Sequence, residues 1–260
     1  MPVSYPLWNE NVPHFNPDYN QPAPEMTYYP AENPKGCVVV LPGGGYAMRA
    51  NHEGEPIARR YNELGFASFV VSYRVAPYRH PVPLTDSQRA VRMARWLAPT
   101  LGYPADKIAI LGFSAGGHLT VSTVEHFGEH PAPVDEIDRI SCRPDAGILC
   151  YPVVSLGEYT HVGSLHNLLG EHPDKELVKK LSGEISVRPD MPPVFMWHTA
   201  DDPGVPVENS LYLAAAMRRA QIPFELHVFP HGPHGLGLAT GIPGIEEWTK
   251  LSAIWLESLK

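Results

Sequence analysis

The sequence predicts an α/β fold: a mostly parallel central sheet with helices on both faces and a small insertion near one end. Two observations carry this. Short apolar runs rich in β-branched residues alternate along the chain with longer stretches whose apolar residues recur at helical spacing. Most of the short runs are apolar at nearly every position, as strands are when helices cover both sides of the sheet.

The strand candidates are Met26 to Tyr29, Cys37 to Leu41, Ala67 to Tyr73, Ile108 to Gly112, Ala146 to Tyr151, Pro193 to His198 and Phe224 to Phe229. Between them, Thr85 to Leu97 places Ala90, Val91, Ala94 and Leu97 on one face, which reads as a surface helix with a buried stripe. Asp86 would sit in its first turn, where the helix dipole favours an anion. The segment Ile245 to Leu259 aligns Trp248, Leu251, Trp255 and Leu259 and closes one flank of the sheet. Residues 1–24, rich in Pro, Asn and aromatics without a period, suggest an extended arm packed over the body. Residues 155–189 break the alternation with a mixed, partly charged stretch, a candidate cap over a site.

A chain of 260 residues, 43% hydrophobic and 18% charged, can bury a sizeable core, and one domain over 1–260 is expected. Its 20 Lys+Arg against 28 Asp+Glu leave a formal charge of −8 without a basic run, which argues against nucleic-acid and anionic-membrane partners. The amino end lacks a charged segment followed by an apolar run, and no apolar stretch of about 18 residues occurs, so a cytoplasmic protein is expected. Cys37, Cys142 and Cys150 have neither zinc nor redox spacing and read as core thiols. His126 and His130 lie four apart, but no Glu follows His126 and Pro131 ends the segment, so no metal is expected.

The strongest chemical signal is Ile108-Ala-Ile-Leu-Gly-Phe-Ser-Ala-Gly-Gly-His118, an apolar strand running directly into Gly112-x-Ser114-x-Gly116. A nucleophile on a sharp strand-to-helix turn needs small residues two before and two after it, because the strained backbone leaves no room for side chains. The helix that follows points its amino end at the reacting carbon, so the Ala115 N–H can donate to a developing oxyanion.

A second strand ends in Pro42-Gly-Gly-Gly-Tyr46. Without a following Gly-Lys-Ser/Thr or dinucleotide glycine spacing, a phosphate loop is a poor reading. The better one is a loop whose main-chain N–H groups complete an oxyanion hole, with Gly44 and Gly45 both donor candidates. Tyr46 stands either at the pocket wall, binding substrate, or packed beneath the loop.

A serine hydroxyl needs a base, and the base needs an orienting acid. His234, in Pro230-His-Gly-Pro-His-Gly235, is flanked by residues that let it swing over the nucleophile; His231 lies closer to the strand end and suits loop structure better. Of the adjacent Asp201 and Asp202 beyond the strand ending near His198, Asp202 is favoured, three residues before Val205-Pro206, with Asp201 suited to bonding the turn. The order Ser, Asp, His is that of an α/β-hydrolase rather than of the chymotrypsin or subtilisin types.

Leu7-Trp8, Pro42-Gly-Gly-Gly-Tyr46, His52-Glu-Gly-Glu55, Ser72-Tyr-Arg-Val-Ala-Pro77, Gly112-Phe-Ser-Ala-Gly-Gly117, His198-Thr-Ala-Asp-Asp202 and Pro233-His-Gly-Leu236 together cover nearly the whole chain. In this combination the sequence resembles α/β-hydrolase serine esterases of the acetyl and xylan esterase type, relatives of feruloyl-esterase-like and hormone-sensitive-lipase-like hydrolases. Pro42 stands where the lipase-like relatives carry His, which points to the acetyl-esterase-like branch. The resemblance implies a short-acyl ester substrate, with acetylated sugars and xylo-oligosaccharides among the candidates, and no cofactor. His52, Glu53 and Glu55 are candidates for the pocket rim as well as for a solvated helix start. Arg74 reads as an internal ion-pair partner near a strand end. Alternatives on the same fold are a feruloyl esterase, a thioesterase or a peptidase, and outside catalysis a silent relative that binds through the same cleft.

Overall fold

The computed structural model describes residues 1–259. Its strands are β1 (Val3–Pro6), β2 (Glu25–Tyr29), β3 (Cys37–Leu41), β4 (Ala67–Ser72), β5 (Ile108–Phe113), β6 (Ala146–Cys150), β7 (Val194–Thr199) and β8 (Phe224–Phe229). They form an eight-stranded sheet in the order β1-β2-β4-β3-β5-β6-β7-β8. From β4 to β8 every pairing is parallel, and β2 runs antiparallel to both β1 and β4. The chain steps from β3 to β4 in one direction and then back across β3 to β5. At such a reversal the loops beyond the carboxyl ends of the strands diverge and leave a crevice.

Helices α1 (Glu55–Glu63) and α8 (Trp248–Ser258) cover one face, while α2 (Val82–Leu101), α3 (Ala115–Glu125) and α7 (Glu208–Arg219) cover the other. The division follows the period of two along the strands. Val39, Leu41, Ile108 and Ile110 pack with Leu119 and Leu213, whereas Val38, Val40, Ala109 and Leu111 pack with Ile57, Tyr61 and Trp248. This is the α/β-hydrolase architecture that the sequence predicts. Residues 155–189 fold as three short helices between β6 and β7: α4 (Val162–Leu169), α5 (Lys175–Lys180) and α6 (Gly183–Ser186). No helix among the described residues is long and apolar enough to cross a membrane.

Three sequence expectations need correction. The amino-terminal arm contains a strand: β1 zips onto β2, and Leu7 and Trp8 behind it are buried. The carboxyl-terminal helix begins at Trp248, because Ile245–Glu247 is a 3-10 turn. The third is the helix expected from Thr85. It starts at Val82, with Pro83 in its first turn, and runs through Pro99 to a left-handed Gly102. Asp86 therefore lies inside the helix, and the first half of α2 is buried, packed against α3 and the turn Ile137–Arg139.

Asp86 answers a different charge. Its Oδ1 accepts from Arg74 Nη2 at 2.6 Å, and its Oδ2 accepts from Arg74 Nε at 3.0 Å and from the Arg74 backbone N–H at 2.9 Å. Both side chains are at most 1% exposed. Arg74 Nη1 also donates to the Pro13 carbonyl, and the Tyr78 ring lies 5.0 Å from the guanidinium carbon. One buried ion pair thus ties the arm and the chain beyond β4 to α2. Removing one member of such a pair strands the other charge without water. Asp86→Ala is expected to lose about 3–5 kcal/mol in urea unfolding, and an Asp86→Leu/Arg74→Met double substitution to lose less than Asp86→Ala alone.

Candidate active site

Ser114 follows β5 directly and caps α3. Its backbone is left-handed, with φ of 52° and ψ of −117°, a conformation that costs a non-glycine residue of order 1–3 kcal/mol. The turn closes only because its neighbours lack side chains. A β-carbon at Gly112 would lie 2.0 Å from the Gly116 carbonyl oxygen, and one at Gly116 would lie 2.2 Å from the Leu41 carbonyl oxygen. The Ser114 N–H donates to the Cys150 carbonyl, which anchors the turn to the end of β6.

The loops after β7 and β8 bring the other expected partners to this serine. His234 Nε2 lies 2.8 Å from Ser114 Oγ, and its Nδ1 lies 2.7 Å from Asp202 Oδ2. A carboxylate can only accept, so Nδ1 carries the ring proton and Nε2 offers its lone pair to the serine hydroxyl. Asp202 Oδ1 accepts from the Gly204 and Val205 N–H groups at 2.8 and 2.9 Å, which fixes the carboxylate plane. Burial alone would raise the Asp202 carboxyl; His198, then His234 and the Val205 N–H outweigh it and hold it well below the usual carboxylate range. His198 is itself fixed: Nε2 donates to the Val205 carbonyl and Nδ1 accepts from Ser210 Oγ, leaving Nε2 3.6 Å from Asp202.

The competing pair lies elsewhere. Asp201 bonds His231 Nδ1 at 2.8 Å and accepts from the Gly232 N–H, with both side chains exposed. This knits the two loops together without reaching the serine.

Gly44 and Gly45 adopt positive φ of 125° and 64°, and neither N–H donates to any acceptor among the described residues. The N–H of Gly43 is already used by Glu53 Oε2. Ala115 occupies the first position of α3, where its N–H has no intrahelical acceptor. Free donors therefore lie at the start of α3 and on the glycine loop, where a β-carbon at Gly43 would come 3.2 Å from Ser114 Cβ. Tyr46 is a correction to the substrate-binding expectation: its side chain is 1% exposed and lies under the loop. His118 Nε2 donates to the Leu181 carbonyl, so Nδ1 accepts from the Tyr46 hydroxyl at 2.8 Å. Burial pushes the His118 imidazole down to about 4, consistent with this neutral arrangement.

Sequence reading undervalued Glu53, which is only 2% exposed. Its Oε2 accepts from the Gly43 N–H, and its Oε1 accepts from the Tyr151 hydroxyl at 2.7 Å. Tyr151 in turn accepts from the Gly237 N–H and packs edge-on against the His234 ring at 5.1 Å. His52 Nε2 donates to the Gly235 carbonyl. The turn Asn51–Glu53 thus joins the glycine loop to the histidine loop. Glu55, by contrast, is exposed and pairs with Arg59. No group of three or more His, Cys, Asp or Glu side chains among the described residues is placed to hold a metal. A cavity lined by Lys35, Asp106 and Lys107 lies at the opposite, amino-terminal ends of the strands.

These contacts generate three predictions. Asp202→Asn is expected to lower kcat by about 10³- to 10⁴-fold by disturbing the histidine tautomer, while Asp201→Asn and His231→Ala stay near wild type in steady-state kinetics. The Asp202 carboxyl titrates lower in the fold than in the unfolded chain. Its stabilisation is therefore complete above the ordinary carboxyl value of about 3.9 and is lost as pH falls below it, so Asp202→Asn should flatten that acid-side loss in a stability–pH series. Glu53→Gln leaves one of its two donors facing an amide NH2 instead of an acceptor oxygen. We expect kcat to fall by about ten- to a hundredfold through misplacement of the two loops, with KM changing less.

Comparison with known proteins agrees with this architecture. The chain is 40% identical to endo-1,4-β-xylanase B of Butyrivibrio fibrisolvens over 90% of its own length and 38% of that protein's. It is 33% identical to the acetylxylan esterase of Xylanibacter ruminicola over 90% of its length and 48% of the relative's. The chain therefore spans less than half the length of either curated relative. Among solved structures, the acetyl ester-xyloside bifunctional hydrolase from Caldicellulosiruptor lactoaceticus superposes with a TM-score of 0.94 at 46% identity, covering 98% of this chain and 96% of that one. The BD-FAE family model matches residues 27–217, well over half of the sequence, and the chain belongs to the BD-FAE family.

Proposed function

We propose that this protein is a serine esterase that removes short acyl groups, acetyl foremost, from acylated sugars such as xylo-oligosaccharides. The observation that carries the reading is the hydrogen-bonded line from Asp202 through His234 to Ser114, beside N–H groups with no acceptor of their own. The sugar part is supported by similarity to the Xylanibacter acetylxylan esterase and to the Caldicellulosiruptor acetyl ester-xyloside bifunctional hydrolase.

In this reading Ser114 Oγ attacks the ester carbonyl carbon as His234 Nε2 takes its proton. The carbonyl oxygen becomes an oxyanion held by the N–H of Ala115 and by that of Gly44 or Gly45. Collapse breaks the bond to the alcohol oxygen, which leaves with the proton from His234. Water then attacks the acyl carbon with His234 as base, the bond to Ser114 Oγ breaks as that oxygen takes the proton back from His234, and acetate departs. Asp202 keeps the imidazole in the required tautomer and stabilises the imidazolium that forms in each step. Residues 155–189 act as a cap in this scheme, since α4 leans on the glycine loop through Asn167 Nδ2, which donates to the Gly45 carbonyl.

Similarity to the Caldicellulosiruptor bifunctional hydrolase raises xyloside cleavage as a second reading. Glycosidic cleavage of the usual kind needs two carboxyl groups facing the substrate. Here Asp202 is spent on His234 and Glu53 on Gly43 and Tyr151, which favours ester chemistry.

A hydrolysis series over p-nitrophenyl acetate, butyrate and octanoate, with acetylated xylo-oligosaccharides and p-nitrophenyl xyloside, tests both readings. Acetate is expected to lead the esters, with acetate released from the oligosaccharide and at least about a 10⁴-fold loss of kcat in Ser114→Ala. Unchanged turnover in Ser114→Ala contradicts the mechanism, and a Ser114-dependent preference for octanoate contradicts the short-acyl assignment.

A further inference from the structure

His161 is the amino-terminal cap of α4, and its side chain is half-buried beside the glycine loop. Caps of this kind are usually Ser, Thr, Asp or Asn, whose short side chains reach the backbone most directly. A histidine does the capping here and has a second nitrogen to spare. The Ser164 backbone N–H donates to His161 Nδ1 at 3.1 Å, and Ser164 Oγ lies 2.9 Å from the same nitrogen. A backbone N–H can only donate, so Nδ1 must present its lone pair and the ring proton must sit on Nε2.

That Nε2–H donates to nothing among the described residues. Its position is set by the neighbours of the ring. A β-carbon at Gly45 would lie 3.8 Å from His161 Cε1, the carbon joining the two ring nitrogens. Burial first, and then the proximity of His234, lower the His161 imidazole, while Asp202 opposes them. The ring is thus a neutral, oriented donor beside Gly45. Asn167, one and a half turns further along α4, holds the helix there through the Gly45 carbonyl.

We infer that His161 is a specificity-determining residue whose Nε2–H donates to a hydroxyl or ring oxygen on the alcohol part of the ester. The inference rests on the acetylated-sugar reading of the site. An acetyl group has no polar atom beyond its carbonyl oxygen, which the backbone N–H groups take. A further donor at the rim can find an acceptor only on the alcohol side, and a sugar presents several there. The aryl alcohol of p-nitrophenyl acetate offers no hydroxyl at the corresponding place.

His161→Asn separates the two roles of the ring. Asparagine caps helices well through its side-chain oxygen, so the Ser164 N–H keeps an acceptor while the shorter amide NH2 ends at the level of the ring carbon Cδ2 and stops short of the place of Nε2–H. His161→Ala removes both. We expect His161→Asn to keep a near-wild-type Tm and near-wild-type kcat/KM on p-nitrophenyl acetate, and to lose about three- to tenfold in kcat/KM on acetylated xylo-oligosaccharide, the range for one neutral hydrogen bond. His161→Ala should show the same substrate split with a lower Tm. An equal loss on both substrates would make His161 a support for the Gly45 loop only and overturn the inference, as would no loss on either. If the wild type releases no acetate from the oligosaccharide, the substrate reading falls and the His161 assignment with it. A wild type that does, with a His161→Asn variant that does so equally well, overturns the His161 assignment alone.

Discussion

The left-handed turn at Ser114 is the constraint on which the rest of the site depends. A side chain raised on such a turn stands clear of the sheet edge, and the turn survives only if the backbone on both sides packs without β-carbons. Gly112 and Gly116 meet that condition, and the bond from Ser114 to the Cys150 carbonyl holds the turn against β6. Because β5 sits beside β3, the same constraint brings the serine next to the loop after β3. The strain is offset by a sheet whose central strands are buried on both faces.

Around that turn the molecule fixes each loop with groups that can only accept or only donate. Asp202 takes two backbone N–H groups on one oxygen and a histidine on the other. Glu53 takes the Gly43 N–H on one oxygen and the Tyr151 hydroxyl on the other. Each carboxylate is withdrawn from water but has both oxygens hydrogen-bonded, the condition under which burying a charge is tolerable. Its cost is offset by loops that no longer need to reorganise when charge develops on the substrate, the source of most electrostatic catalysis.

Much of this was legible in the sequence because the relevant signals are local. The elbow places its strand, glycines and serine within a few residues, and the order Ser, Asp, His follows from the order of the strands. The preference for Asp202 over Asp201 rested on the return of its loop at Val205, whose N–H is one of the groups that hold the carboxylate. What escaped depends on partners far apart in the chain. Glu53 reads as the start of an exposed helix until Tyr151 and Gly43 are brought to it. Asp86 reads as a helix-dipole residue until Arg74 reaches it from the end of β4. The strand β1 is short, mostly exposed and ends in Pro6, so it carries almost no apolar period. Tyr46 suited wall and core equally, and only the buried acceptor on His118 decides for the core. His161 gave no signal because a histidine cap becomes notable only when its second nitrogen is seen beside Gly45.

The central claim is that Ser114 is the atom-transferring nucleophile of an acyl-transfer site. The most direct measurement is inactivation by diethyl p-nitrophenyl phosphate, followed by peptide mass spectrometry, because the phosphoryl adduct of a serine nucleophile is far slower to hydrolyse than an acyl-enzyme. The account predicts p-nitrophenolate release stoichiometric with the chain, loss of esterase activity in step with it, and the diethylphosphoryl group on Ser114. Inactivation with the label on another residue, or full activity after exposure with Ser114 unmodified, would contradict it.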